Sequence, residues 1–379
     1  MFKVLYLIDS MGVGGAERHL TLIASYLAGR GVEQKIAQIY DEESIYLPEL
    51  KASGIELLTL GRRMGLSALA PSILPFMKLC RDWKPDLICT QLVIPDILGR
   101  SVGKLLGIPV VSIWQNMTYD RINWKERRRP HPKLWAMGLL DRLTARFGSR
   151  FVAVSRAVER SHREFFGLSG ALCMVIPNTV DLKRFPDVAP RTKKAGRLRL
   201  IHIGRHVAHK GIDTLLQALA LLPPELDVQV DSFGEGPLTR ELEAQARRLN
   251  VHSRFQFRGL KADLIPDMLE ADAAVLPTYR EGLPLAYIEA LAAGLPVITT
   301  DIAPNLEIDP EGQASLFFKP GDAKALAERI SALAAELDRP EGGARKPREV
   351  ASPFHYETVG PRFYELFQSV VDESRSPQL

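Results

Sequence analysis

The chain has 379 residues, 46% of them hydrophobic and 25% charged, with 49 Lys and Arg against 45 Asp and Glu; that length allows two domains with substantial separate cores. No apolar run reaches the roughly 18–20 residues that a membrane span requires, so the chain is not expected to cross a membrane. Three cysteines, Cys80, Cys89 and Cys173, stand in separate apolar contexts without metal-ligand spacing, and they read as core thiols of a reducing cytoplasm.

In chain order, the first predicted strand is Phe2 to Ile8, which starts so early that no signal peptide is expected ahead of it. Gly12, Gly14 and Gly15 then make a flexible loop before a helix starting near Ala16, and glycine lets backbone approach a ligand closely. As a dinucleotide fingerprint this run lacks the final glycine, and no ribose-binding acid follows at the expected distance, so a nicotinamide site is rejected. Residues 1–186 carry 26 Lys and Arg against 17 Asp and Glu, whereas the rest of the chain carries 23 against 28. The basic excess is concentrated between Arg121 and Arg163. There Lys125, Arg127, Arg128 and Arg129 precede a segment from Lys133 to Phe147 that alternates Leu134, Trp135, Leu139, Leu140 and Leu143 with Arg142 and Arg146. That is the pattern of a basic amphipathic helix. It is either packed with its cations solvated or docked on an anionic leaflet, where each such cation adds about 1 kcal/mol. No aromatic stacking platform or reading motif accompanies the charge, so nucleic acid is not an expected partner.

Strand–helix alternation recurs on both sides of residue 185 and predicts two parallel sheets flanked by helices. The predicted domains are 1–185, with 354–379 added to it, and 186–353, joined through a Pro- and cation-containing link from Asp181 to Arg197. Leu198 to Ile203 reads as a buried strand ending at Gly204. Arg205 and Lys210 follow, then Gly211 and an amphipathic helix from Ile212 to Leu222. A cation just past the carboxyl end of a parallel strand lies where open α/β sheets bind ligands. A planar Arg fork and a mobile Lys together suit two phosphates. Asp9, His202, His206 and His209 have no evident partner, and His206 and His209 read as rim residues.

Ala273 to Pro277 is a further buried strand. It leads into Glu281-Gly282-Leu283-Pro284-Leu285-Ala286-Tyr287-Ile288-Glu289. Pro284 suits the first turn of a helix, and the free amides of that turn, with the positive end of the dipole, form a phosphate site. Glu289 lies little more than one turn in and leans toward the N-terminus, where its carboxylate can accept hydrogen bonds from a ribose. Asp338 to Pro347, rich in Pro, Gly and charge, reads as a loop. Phe354 to Val371 has helical apolar spacing at Phe363, Leu366, Phe367 and Val370.

Six ordered stretches spread along nearly the whole chain resemble the retaining glycosyltransferases of family 4. They are Gly14-Gly15-Ala16-Glu17-Arg18; Val152-Ala153-Val154-Ser155; Ile176-Pro177-Asn178-Thr179-Val180-Asp181; Gly204-Arg205 with Lys210-Gly211; Phe233-Gly234-Glu235-Gly236-Pro237; and Glu281 through Glu289. The resemblance implies an α/β GT-B fold: two Rossmann-like domains facing each other across a cleft, with the C-terminal helix crossing back to the first. It implies an acceptor-binding first domain, a nucleotide-sugar-binding second domain, and a hexosyltransferase-type reaction. The sugar would pass to a glycan or lipid-linked acceptor in bacterial polysaccharide or lipopolysaccharide synthesis, in the cytoplasm or at the inner face of the plasma membrane.

By the same resemblance Glu281 meets hydroxyls of the donor sugar while Arg205 and Lys210 hold the leaving diphosphate, which makes these three the candidate catalytic residues. The donor-binding candidates are Gly14, Gly15, Gly204, Gly236, Gly282, Leu283, Leu285 and Glu289. Some metal-dependent transferases hold the diphosphate through an Asp-x-Asp motif, and none occurs here. No metal and no cofactor beyond the sugar nucleotide is therefore expected, the cations and the amides of 282–286 supplying the counter-charge.

The chain departs from its relatives in the first domain. Where many carry a histidine after the strand Val110 to Trp114, it has Gln115 and then Asn116; at the end of Ile88-Cys89-Thr90, another common histidine position is Gln91. An amide can hydrogen-bond a hydroxyl but cannot accept a proton at neutral pH. These three are candidate donor-sugar or acceptor contacts, in a reaction where the leaving phosphate takes the acceptor's proton. The alternatives are a GT-B sugar-nucleotide epimerase, a phosphorylase (which calls for a pyridoxal-phosphate lysine and a longer chain), and a non-catalytic nucleotide-sugar-binding subunit.

Overall fold

The computed structural model describes residues 1–119, 132–186, 196–339 and 345–376, with backbone alone for 132–134. They divide into two compact units, Met1–Thr179 with Tyr356–Leu379, and Val180–His355. The borders thus fall a few residues from 185/186 and 353/354. The cause is local: Val180 donates its N–H to Phe354 O at 2.9 Å and bridges His355, which ties both ends of the second unit together. Most of the expected link, 187–195, lies outside the described residues, as does much of the expected loop from 338 to 347.

The first unit is built on seven strands: β1 (Lys3–Ile8), β2 (Glu33–Tyr40), β3 (Glu56–Gly61), β4 (Leu87–Gln91), β5 (Val110–Trp114), β6 (Arg150–Ala153) and β7 (Cys173–Val175). They pair in parallel in the order β3-β2-β1-β4-β5-β6-β7. Every residue of β4 and β5 is buried, as a sheet covered by helices on both faces requires. The order reverses between β1 and β4, and at such a switch point the loops diverge and leave a crevice. The C-terminal helix Tyr356–Arg375 belongs to this unit, as expected. Phe363 and Phe367 lie 5.5 and 6.4 Å from the rings of His19 and Tyr6, and Arg150 grips Glu373 through both oxygens at 2.8 and 2.7 Å.

Helices Val93–Leu106 and Pro132–Ala145 are joined by a buried charge network. Fully buried Arg100 pairs with Asp141, which also accepts from Tyr119, while Thr90 Oγ1 donates to Asp96 at 2.5 Å. Burial raises the Asp96 carboxyl to about 7, against the opposing pull of Arg100. On the opposite face of Pro132–Ala145, Trp135 is 59% exposed among the described residues, and Leu139, Leu140 and Leu143 are exposed beside Arg142 and Arg146. The cations at 121 and 125–129 lie outside the described residues. No helix among the described residues is long and apolar enough to cross a membrane.

The second unit has six strands: β8 (Leu198–Ile203), β9 (Val228–Phe233), β10 (Phe255–Gly259), β11 (Ala273–Leu276), β12 (Val297–Thr300) and β13 (Ser315–Phe318). All are parallel, in the order β10-β9-β8-β11-β12-β13. Its core runs through Leu200, Leu215, Val230, Val275, Ile298 and Ile330. Here the switch point lies between β8 and β11.

Candidate active site

The second unit gathers most of the candidate residues at the carboxyl ends of β8, β9 and β11. Gly204 follows β8 and donates its N–H to Phe233 O at 3.0 Å. A Cβ at 204 would stand 3.5 Å from Lys210 Cδ and 3.6 Å from His202 Cε1, so glycine keeps open a gap between an ammonium stem and an imidazole. Arg205 is exposed and lies within electrostatic reach of His209.

A single turn, Ala208–Lys210, then ends in Gly211 at φ +67°. A Cβ there would fall 1.9 Å from Pro277 O, so this loop is pressed onto the end of β11. Tyr279 N–H and Thr278 Oγ1 both donate to the His209 carbonyl, at 2.8 and 2.9 Å. This stitching places Lys210 Nζ 2.6 Å from Glu281 Oε1, with the two side chains 20% and 13% exposed. Glu281 is thus an anchored counter-ion.

That helix is Leu285–Ala292, with Pro284 as its N-cap at φ −71°. Proline stands just before the first turn and not inside it. Its ring leaves the cap residue without an N–H, while the amides of the first turn point out of the helix end. A pocket at this end is lined by His202, Lys210, Thr278, Glu281, Pro284 and Ala286. Gly282, Leu283 and Leu285 are buried beside it, and half-buried Glu289 lies in the helix's second turn, held by an interaction of its own. Gly236 joins the group from the β9 end: its N–H donates to Thr239 Oγ1 at 3.1 Å, and a Cβ would come within 2.4 Å of His206 O.

Two histidine readings are corrected. His206 is fully buried and not on the rim, and His202 and His206 do have partners: both bond Ser232 Oγ, at 2.9 and 3.3 Å. His209 is half-buried, and burial pushes its imidazole down to about 4.

The remaining candidates belong to the first unit. Gly14 and Gly15 open the helix Gly15–Ala28 beyond β1, and Gly14 is extended at φ −172° with its carbonyl accepting from Arg18 N at 3.0 Å. Asp9, at the end of β1, is raised to about 6 by burial. Gln91 closes β4 and Gln115 follows β5, so adjacent parallel strands bring the two amides together: Gln115 Nε2 donates to Gln91 Oε1 at 3.4 Å. Gln91 is 1% exposed, and its Nε2 has no partner among the described residues. Exposed Asn116 accepts from Thr118 Oγ1. Among the described residues, no three His, Cys, Asp or Glu side chains cluster as metal ligands would.

Thr278 and Ser232 are the site residues that sequence reasoning passed over. A signal for Ser232 exists in hindsight, since His202 and Ser232 interrupt two apolar strands at positions that prove to be in register.

Residues 13–184 match the family described as Glycosyltransferase Family 4, and residues 197–336 the family described as Glycosyl transferases group 1. Glycogen synthase of Mycobacterium tuberculosis (strain ATCC 25618 / H37Rv) is 27% identical over 79% of this chain and 72% of its own length. The Bacillus subtilis (strain 168) protein assigned as the teichuronic acid biosynthesis glycosyltransferase TuaC is 30% identical over 78% of this chain and 71% of its own length. Among solved structures, Anabaena HepE in complex with UDP-glucose superposes with a TM-score of 0.79 at 22% identity, over 97% of this chain and 100% of that one.

Proposed function

The chain belongs to the glycosyltransferases of the GT-B superfamily, joining a family 4 domain to a group 1 domain, and we propose that it is a retaining, metal-independent enzyme using a nucleotide-diphosphate sugar. The acceptor on this reading is a glycan or a lipid-linked saccharide in bacterial polysaccharide or lipopolysaccharide synthesis. The observation that supports it most is the Lys210–Glu281 pair at the mouth of helix Leu285–Ala292, on the switch point of the second sheet. HepE, which has the same fold, holds UDP-glucose, and TuaC is assigned to a polysaccharide pathway.

Lys210, Arg205 and the helix end would neutralise the departing diphosphate, whose charge grows as the sugar's C1–O bond breaks. Glu281, held by Lys210, would meet the donor-sugar hydroxyls, and Glu289 the ribose. Gly204, Gly236, Gly282, Leu283 and Leu285 would let the donor approach backbone. In the first unit, Gly14 and Gly15 would do the same, and Gln91, Gln115 and Asn116 would orient hydroxyls. The acceptor oxygen attacks C1 from the face the phosphate leaves, and that phosphate takes the hydroxyl proton. No side-chain base is then needed, which fits two glutamines at strand ends where a base could have stood.

The test is thermal stabilisation by UDP, GDP and ADP in EDTA. One nucleotide should raise the melting temperature of the wild type, and Glu289→Ala should lose most of that shift. No stabilisation by any of the three would overturn the donor-site reading.

Trp135, Leu139, Leu140 and Leu143, exposed among the described residues and flanked by Arg142 and Arg146, support peripheral docking on an anionic leaflet. Wild type should sediment with phosphatidylglycerol vesicles and not with phosphatidylcholine vesicles. Trp135→Ser with Leu139→Ser should abolish sedimentation; wild type left in the supernatant of both would refute docking.

A further inference from the structure

Four side chains of the second unit form a continuous hydrogen-bonded chain that leads from the candidate phosphate pocket to the Gly236 turn. His202 lines the pocket, and its Nδ1 lies 2.9 Å from Ser232 Oγ. Ser232 Oγ is also 3.3 Å from His206 Nε2, and His206 Nδ1 is 2.9 Å from Thr239 Oγ1. Thr239 Oγ1 accepts from Gly236 N–H at 3.1 Å and stands 2.9 Å from Gly236 O. His202, Ser232 and His206 are buried to 1% exposure or less, and Thr239 is half-buried. Only Nε2 of His202 is left for the pocket, beside Lys210 across the gap that Gly204 keeps open.

Each hydroxyl has one proton to give, so the chain has two self-consistent settings. In the first, Thr239 donates to Gly236 O and accepts from His206 Nδ1–H. His206 Nε2 then accepts from Ser232, Ser232 accepts from His202 Nδ1–H, and His202 turns a lone pair to the pocket. In the second, His202 carries its proton on Nε2, every donor in the chain reverses, and Thr239 lets go of the Gly236 carbonyl. The two differ by no net proton: each imidazole loses a proton at Nδ1 and gains one at Nε2. Burial pushes the His202 imidazole down to about 3, and His206 and Lys210 add to this; His206 is lowered by burial as well. Both rings are therefore neutral at neutral pH, the form in which tautomers matter.

We propose that an anion in this pocket, the diphosphate of the sugar nucleotide, selects the second setting, with His202 as an Nε2–H donor to a phosphate oxygen and the Gly236 turn reset through Ser232, His206 and Thr239. This rests on reading the pocket as the diphosphate site. It makes His202 a donor-binding residue and the other three positioning residues. It also couples the pocket to the Gly236 turn.

The experiment is a long-range proton–nitrogen NMR spectrum of the full chain, uniformly labelled with nitrogen-15, with and without saturating UDP, GDP or pyrophosphate. His202→Phe and His206→Phe identify the signals. Both imidazoles should be Nδ1–H when free and Nε2–H when the probe is bound. In Ser232→Ala, His202 should still convert while His206 stays Nδ1–H, and affinity for the probe should fall about three- to tenfold. His202→Phe should lose about tenfold in affinity, and His202→Gln, which retains an N–H, should recover most of it. If a probe stabilises the protein but His202 keeps its tautomer, or His206 converts without Ser232, the relay is wrong and the donor site stands. If none of the probes binds, the donor-site reading falls and the relay falls with it.

Discussion

Lys210→Ala is expected to weaken binding of the stabilising nucleotide about 10- to 100-fold, with the fold intact. A hydrogen bond between charged groups contributes roughly 1.5–3 kcal/mol, and a second effect acts in the same direction. Glu281 lies 2.6 Å from Lys210 with its side chain 13% exposed. Without the ammonium, a half-enclosed carboxylate faces the incoming diphosphate as a like charge. The double variant Lys210→Ala with Glu281→Gln should therefore bind the nucleotide more tightly than Lys210→Ala alone. Glu281→Gln by itself should leave nucleotide affinity near wild type and lower kcat by about 100-fold, since its role on this reading lies with the transferred sugar. Titration calorimetry and initial rates separate these effects. Unchanged affinity in Lys210→Ala would remove the lysine from the phosphate site.

Gly211→Ala is expected to be among the most destabilising single substitutions in the second unit, at about 3 kcal/mol or more. Two costs combine. The backbone sits at φ +67°, where a side chain costs roughly 1–2 kcal/mol, and the new Cβ would fall 1.9 Å from the carbonyl oxygen of Pro277. That oxygen is backbone at the end of a central strand and cannot swing aside as a flexible side chain would. Gly107 provides the control: its φ is +70°, but nothing lies within 4 Å of the place a methyl group would take there. Gly107→Ala should cost only the conformational part. Urea denaturation of both variants tests this through their midpoints, and equal losses would show that the approach to Pro277 is not what requires glycine. Because the same approach brings Lys210 to Glu281, Gly211→Ala should also weaken nucleotide binding in whatever fraction remains folded.

Much of the architecture was written in local signals. Apolar runs such as Leu198 to Ile203 and Ala273 to Leu276 became buried parallel strands, because a strand covered on both faces has few polar positions. Gly211 and Pro284 marked two helix starts, since the constraint each relieves or imposes on the backbone acts within one or two residues. The spacing of Phe363, Leu366, Phe367 and Val370 announced the last helix, and those four side chains are its buried face. Motif order carried the family, and with it the placing of the cations beyond β8 and the glutamates beyond β11.

What the chain alone left open are relations between residues distant in sequence. Lys210 and Glu281 meet across 71 positions because β8 and β11 are neighbours in the sheet and the His209 carbonyl holds the two loops together. Gln91 finds Gln115, and His202 finds Ser232, through strand order and register, which local propensity does not encode. His206 read as a rim residue because nothing in the sequence pairs it; in the fold it is buried against Phe257 of β10 and bonded to Thr239 beyond β9. The unit border fell at Thr179 because the pairing of Val180 with residues 354 and 355 outweighs its place in the chain. Composition and periodicity report what one segment prefers to bury, whereas a site depends on which segments the sheet sets side by side, and only the folded arrangement of strands decides that.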